Sequence, residues 1–353
     1  MDRRQALGAA FAGLALGPAR ALAALPRETV VEALIARFHD DAAHAGVVSC
    51  DVPEFGSVNS VLGTGVAGEP RIGEGSRFAI GSISKWFTTV AVLRLVDAGV
   101  LDLDQPIATW LPSLSKPAAD VPLRALLSNT SGIPDRVTAA ARTDPSLRQS
   151  SASALDIAER FGAGELAFAP GSRFDYSAFN WVLVRAIVEA AERGPFSQTL
   201  SQRVFEPIGL RDTGIAEAGF ESVPGLVAAW RSLQPPVRKM DRLPAFIAAS
   251  GTFWSTAGDL KRAAGAIHGT GSLLSDRSRS ELTRVVVADE GYALGGRVVD
   301  IDGARWAWHT GQVGGYRAHL ACQLQTLRTL VVFNVVDQPQ RLLADFVTLL
   351  ARS

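Results

Sequence analysis

Segments with the spacing of strands stand at the two ends of this chain, and segments with the spacing of helices fill the middle. Near the start, "GVVSCDVPEF" and "SVNSVLGTGVA" read as two strands joined by a loop around Pro53 to Gly56. Near the end, "YALGGRVVDID", "ARWAWHTG", "GYRAHLACQLQ" and "TLRTLVVFNVVD" alternate strongly and are separated by short turns, as antiparallel strands are. Between them lie helical patterns, from Ser82, over about 178–193, and in "GDLKRAAGAIHG". A helix is expected before the first strand, over 28–45, and another closes the chain from "PQRLLADFVTLLAR". The economical architecture is one sheet built from both ends, with helices inserted between. The expected fold class is therefore α/β plus an inserted all-α domain, an antiparallel sheet flanked by helices. The α/β domain would be discontinuous, residues 24–90 and 252–353. The helical domain would cover 91–251, with an exposed lid over about 135–168. At 353 residues the chain is too long for one small core.

The first residues, "MDRRQALGAAFAGLALGPARALAALPRE", combine an arginine pair, a short apolar run and small residues. This is the pattern of an export signal over 1–23, twin-arginine in type, and it is too short and glycine-rich to span a bilayer. A periplasmic or secreted protein with no stable membrane span is the expectation. The formal net charge is zero, which gives no electrostatic footprint for nucleic acid. Cys50 and Cys322 are one disulfide or two buried thiols, with free thiols the expectation. No cysteine or histidine cluster has zinc spacing.

Lysine, tyrosine and histidine are scarce, with four lysines, three tyrosines and five histidines. A motif that needs them has few chances to arise by accident. Ser-x-x-Lys occurs twice. Ser113–Lys116 sits between two prolines in "LPSLSKPAAD", where a helix cannot form. Ser82–Lys85 opens an unbroken apolar helical run. Residues i and i+3 share a helix face, so the Lys85 amine reaches the Ser82 hydroxyl. The helix start also favours negative charge developing on Ser82. "GTGVAG" matches a dinucleotide fingerprint, but the prolines and glycines that follow exclude the helix this fingerprint needs.

Two further segments stand out. "FAPGSRFDYSAFNW" places Tyr176 between a turn and a helix, and "WAWHTGQVGGY" places His309, Thr310 and Gly311 at a strand end. Taken in order, Ser-x-x-Lys, Tyr and His-Thr-Gly resemble the serine β-lactamase and penicillin-binding-protein superfamily. Within it the chain resembles the class C β-lactamase-like branch, with its D-alanyl-D-alanine peptidases and family VIII esterases. "LVDAGVLDLDQPIATWLP", "LRALLSNTSGIPD", "VFEPIGLRDTG" and "ASGTFWSTAGDL" extend the likeness over nearly the whole mature chain.

The resemblance implies a β-lactamase/transpeptidase-like fold and a serine hydrolase that works through an acyl-enzyme on a small ester, amide or peptide. Ser82 would be the nucleophile, and Lys85 or Tyr176 the base that takes its proton. The oxyanion hole would be the N–H groups of Ser82 and Gln312. Thr310 and Gly311 would bind substrate, and His309 would line the site and orient Tyr176 or the substrate. No metal or organic cofactor is implied. Two departures bear on substrate. Ala178 stands where Tyr-x-Asn has its asparagine, with Asn180 on another helix face. His309 stands where Lys-Thr-Gly has a permanent cation for a substrate carboxylate. Both disfavour β-lactam hydrolysis. The alternatives are a β-lactamase, or a penicillin or cell-wall sensor that acylates with poor turnover. Asn129, in "LLSNTSG", replaces a histidine common among relatives, and a structural role is expected for it.

Overall fold

The computed structural model describes residues 44–52, 56–63, 65–271 and 273–339. The export signal and the closing helix lie outside the described residues, as does all but the end of the helix expected at 28–45.

Both ends of the chain meet in one antiparallel sheet. Its strands are β1 (Gly46–Val52), β2 (Gly56–Leu62), β3 (Arg297–Ile301), β4 (Ala304–Val313), β5 (Tyr316–Gln323) and β6 (Thr329–Asn334). Their spatial order is β2-β1-β6-β5-β4-β3. β1 thus pairs with the distant β6, Val47 facing Phe333 and Cys50 facing Leu330. Alternation sends Val47, Val331, Phe333, Ala318 and Leu320 to one face, where they join the main apolar core. The ring of Phe78 stacks on Phe333 with centroids 4.4 Å apart. Each such side chain contributes about 1.5–3 kcal/mol by leaving water.

Helix α1 (Ser84–Asp97) runs through the middle of the molecule. Every residue from Ser84 to Leu93 is buried, so α1 is apolar all round. Its threonines satisfy their hydroxyls internally, Thr88 on Ala249 O at 2.8 Å and Thr89 on Lys85 O at 2.9 Å. Phe87 packs edge-on against Phe205. Gly99, at φ +70°, lets the chain turn out of the helix. The expected domain boundary at 90/91 falls inside α1, and the core runs unbroken from the sheet into the helical region. Helix α2 (Ala178–Glu192) and helix α3 (Ala257–His268) stand where their spacing places them. "GTGVAG" is followed by turns and not by a helix.

The segment expected as an exposed lid is more regular than its polarity suggests. Helices span Arg136–Thr143 and Ala154–Gly162, with a 3₁₀ segment, Pro145–Gln149, between them. The polar residues act as caps. Asp135 and Asp144 accept from Thr138 and Ser146 amides, and Ser153 forms a reciprocal capping box with Asp156.

The cysteines are free and buried. Cys50 pairs with Leu330, whereas Cys322 pairs with Thr329, so the two thiols project from opposite sheet faces. No disulfide can join them. Burial pushes Cys50 up to about 12 and Cys322 to about 11.

Candidate active site

Ser82 lies in a single 3₁₀ turn, Gly81–Ile83, which feeds directly into α1. The α-helix itself starts at Ser84, two residues later than the motif suggests. Gly81 explains the difference. Its φ of +50° turns the chain sharply after the short strand Phe78–Ala79. The turn is closed by Ile83 N–H on Ile80 O at 3.2 Å and by Ser84 Oγ on Gly81 O at 2.6 Å. The spacing argument nonetheless holds, because Lys85 Nζ lies 3.0 Å from Ser82 Oγ.

Lys85 is buried, 3% exposed. Its second hydrogen bond goes to Ser250 O at 2.8 Å. Its ammonium lies 5.0 Å from the ring centroid of Tyr176 and 5.7 Å from that of Trp181. Among the described residues no carboxylate pairs with it. Its contacts are thus a hydroxyl, a carbonyl and two aromatic rings. The second Ser-x-x-Lys has none of this. Lys116 is 80% exposed and pairs with Asp120 at 3.2 Å, on the surface.

Tyr176 is 43% exposed, which excludes an ordinary core role. Its ring faces Lys85 on one side, and Tyr292 meets it edge-on, centroids 6.5 Å apart. Ala178 offers only its backbone N–H, which donates to Asp135 Oδ2 at 2.8 Å. Asn180 is fully buried and accepts from Ser131 Oγ at 2.7 Å, so it does not replace the absent asparagine.

His309 is buried on β4, and its Nδ1 lies 2.6 Å from Thr310 O. The neutral ring donates there, which leaves Nε2 as an acceptor with no hydrogen-bond partner among the described residues. Burial pushes its pKa down to about 3, with the charges of Lys85 and Arg297 acting in the same direction. The third motif therefore carries no charge at neutral pH.

Gly311 and Gln312 come against the nucleophile turn through their backbone. β3 pairs with β4 only as far as Trp308, so β4 has an open edge beyond it. The turn of Ser82 fills that edge. A β-carbon on Gly311 would lie 1.8 Å from Ile80 O, and one on Gly81 would lie 2.6 Å from Gln312 N. Only glycines permit this approach. The Val313–Tyr316 pair closes a two-residue hairpin, so Gln312, one residue back, is a non-hydrogen-bonded position relative to β5. Its N–H is directed to the open edge, towards Ser82. Thr310 enters through its carbonyl, which holds His309.

Four neighbours carry no sequence motif. These are Ser250, Gly81, Trp181 and Tyr292. Arg297 also borders the site, its guanidinium 5.1 Å from the Tyr292 ring and 5.4 Å from that of Trp308. A glycine directly before the nucleophile was the one signal available for Gly81. Among the described residues no group of histidine, cysteine or acidic side chains is arranged to hold a metal.

A family model described as Beta-lactamase matches residues 31–345. The chain belongs to the beta-lactamase family. The esterase EstB of Burkholderia gladioli is 34% identical over 195 residues, 50% of this chain and 47% of the esterase. Penicillin-binding protein 4 of Amycolatopsis lactamdurans is 31% identical over 177 residues, 49% of this chain and 44% of that protein. The chain thus spans about half the length, or less, of the curated relatives it matches. Among solved structures, D-amino acid amidase from Ochrobactrum anthropi SV3 superposes with a TM-score of 0.77. Its identity is 22%, over 92% of this chain and 97% of the amidase. A penicillin binding protein from Bacillus halodurans gives 0.75 at 24% identity, over 92% of this chain and all of that chain, 100%. At these identities the likeness establishes the fold, the β-lactamase/transpeptidase-like antiparallel sheet flanked by helices.

Proposed function

We propose that this beta-lactamase family member is a serine hydrolase that acts through an acyl-enzyme on a small ester or amide. One observation carries the reading, the 3.0 Å contact between Ser82 Oγ and a buried Lys85 that no described carboxylate neutralises. With Lys85 neutral, its amine takes the Ser82 proton as Oγ bonds to the substrate carbonyl carbon. The carbonyl oxygen becomes an oxyanion beside the N–H groups of Ser82 and Gln312. Such donors are worth about 10² to 10³ each in rate. Tyr176, exposed to the cleft and over Lys85, passes a proton to the leaving alkoxide or amine as the carbonyl re-forms. Water then attacks the acyl-Ser82 by the reverse path, which releases the acid and returns the proton to Ser82.

A neutral His309 and the methyl of Ala178 support uncharged esters and amides over β-lactams, which need a cation for their carboxylate. The similarity to EstB supports the ester, and the fold shared with D-amino acid amidase keeps the amide in view. Export to the periplasm, supported by the arginine pair and apolar run at the N-terminus, is part of the same reading.

The test is turnover of a short-chain p-nitrophenyl ester, a D-amino acid amide and a chromogenic cephalosporin, by the protein and its Ser82→Ala variant. Ester or amide turnover that Ser82→Ala abolishes is the expected result. Unchanged turnover in that variant refutes the assignment. Faster cephalosporin turnover makes the protein a β-lactamase, and a stable covalent adduct with all three makes it a sensor.

A further inference from the structure

Asn129 is fully buried, at φ +55°, far in sequence from every motif residue. Its contacts converge on one place. Its backbone O accepts the Asp175 N–H at 2.8 Å, and its Oδ1 accepts the Ser177 N–H at 3.4 Å. These are the residues on either side of Tyr176. The same Oδ1 receives Trp181 Nε1 at 3.4 Å and Asn180 Nδ2 at 3.5 Å, both from α2. One residue therefore grips the chain before and after Tyr176 and ties it to the helix that follows.

The other side of the amide points the same way. The Asn129 amide lies near the Tyr292 phenol, with no hydrogen bond between them. Asn129 Nδ2 and Tyr292 Oη are both buried, and neither has a hydrogen-bond partner among the described residues. The Tyr292 ring stands edge-on to that of Tyr176 at 84° and packs on Phe174 at 5.0 Å. Tyr176, although exposed, is thus fixed through its backbone by Asn129, and its ring is bordered by Tyr292. The left-handed backbone at 129 is one that asparagine tolerates better than most residues.

We propose that Asn129 is a positioning residue, whose amide sets the place of the Tyr176 phenol over Lys85. This rests on the proposed use of Tyr176 in proton transfer. Asn129 does not touch substrate. Its removal therefore lowers kcat and leaves KM within about threefold. A misplacement of about 1 Å costs on the order of 10²-fold in rate.

The experiment is a double-mutant cycle on ester turnover with Asn129→Gly and Tyr176→Phe. Glycine accepts the left-handed backbone and keeps the carbonyl bond to Asp175, so only the amide is lost. The expected result is a 10- to 100-fold fall in kcat for Asn129→Gly in the parent and no further fall in the Tyr176→Phe background. An equal fall in both backgrounds makes Asn129 merely structural and overturns the proposal, as does parental kcat for Asn129→Gly. Parental turnover by Tyr176→Phe alone is a different failure, that of the role given to Tyr176, and it removes the basis of the proposal. If Asn129→Gly does not fold, Asn129→Asp enters the same cycle, since it keeps an acceptor for Ser177. A loss of kcat in the Tyr176 parent that vanishes in the Tyr176→Phe background supports positioning, and parental kcat overturns it. A loss equal in both backgrounds overturns it.

Discussion

Gly311→Ala is the substitution whose effect the backbone geometry specifies most closely. The new methyl would start 1.8 Å from Ile80 O, whereas real β-carbons essentially never come within 3.0 Å of such an atom. The two backbones must part by about 1.2 Å to reach that limit and by about 1.6 Å to reach ordinary contact at 3.4 Å. Ile80 cannot yield easily, because its N–H is bonded to Phe253 O at 2.9 Å and its carbonyl accepts Ile83 N–H. The open edge of β4 yields instead, and the Gln312 N–H moves with it. On the proposed reading this withdraws one oxyanion donor. Loss of such a donor costs about 10² to 10³ in kcat, and a displacement of about 1 Å costs around 10². The expected outcome is kcat lowered about 10²-fold, with a Tm lowered by overpacking worth about 1–3 kcal/mol. Steady-state ester hydrolysis and a thermal melt measure both. Gly265→Ala in α3, where a β-carbon meets nothing within 4 Å, is the matched control and keeps parental activity. A folded Gly311→Ala protein with kcat within threefold of the parent refutes the argument that this approach builds the site.

Three further outcomes follow from other parts of the molecule. Stability falls on acidification below neutrality, because three histidines are held neutral. Burial pushes His268 down to about 4 and His309 and His319 to about 3. Unfolded, each takes a proton near 6.5, so between that pH and its folded value the unfolded state binds more protons and stability drops as pH falls. Each histidine contributes up to about tenfold per pH unit in the unfolding equilibrium, and urea midpoints that stay flat from pH 7 to pH 5 contradict it. Cys50 and Cys322, buried and with raised pKa values, react with a thiol reagent only after denaturation. Thiols titrated rapidly in the native protein would be inconsistent with the fold described. Ser113→Ala and Lys116→Ala leave ester turnover unchanged, since that Ser-x-x-Lys is an exposed surface pair; any large loss would reopen the choice of nucleophile.

The fold was readable where burial imposes a period. β5 and β6 stand out because nearly every residue is buried, with α3 packed against β6 and β1, and α1 announces itself by an apolar run without breakers. The pairing of β1 with β6 was legible as economy, since strands at both ends need partners. The helices within 135–168 were not legible for a physical reason. The segment's polar residues satisfy helix ends locally, as Ser153 does for Asp156 N–H, and composition alone does not separate a capping serine from a loop serine. The expected boundary at 90/91 falls inside α1, whose buried residues from Ser84 to Leu93 include members of the main apolar core.

The chemical groups of the site were legible and their geometry was not, and the reason is the same for each residue missed. On the proposed reading Ser82, Lys85, Tyr176 and His309 act through side chains, and scarce side chains leave a trace in sequence. Ser250 acts through a carbonyl, Gly81 and Gly311 through the lack of a β-carbon, and Asn129 through bonds to amides that any residue would supply. Backbone groups are the same at every position, so only topology tells which of them face the nucleophile. The state of His309 shows the point. Sequence shows a histidine where a lysine would be a cation, and leaves its charge open. Burial beside Lys85 decides that it is neutral, with its Nδ1 proton directed to Thr310 O. Among the described residues the cationic side chain hydrogen-bonded to Ser82 is that of Lys85, with Arg297 at the border of the site. That lysine must lose its proton to activate the serine. On the proposed reading, a substrate carboxylate bound beside Lys85 would hold the proton in place and oppose the reaction, which is the reason for proposing substrates that bring no negative charge of their own.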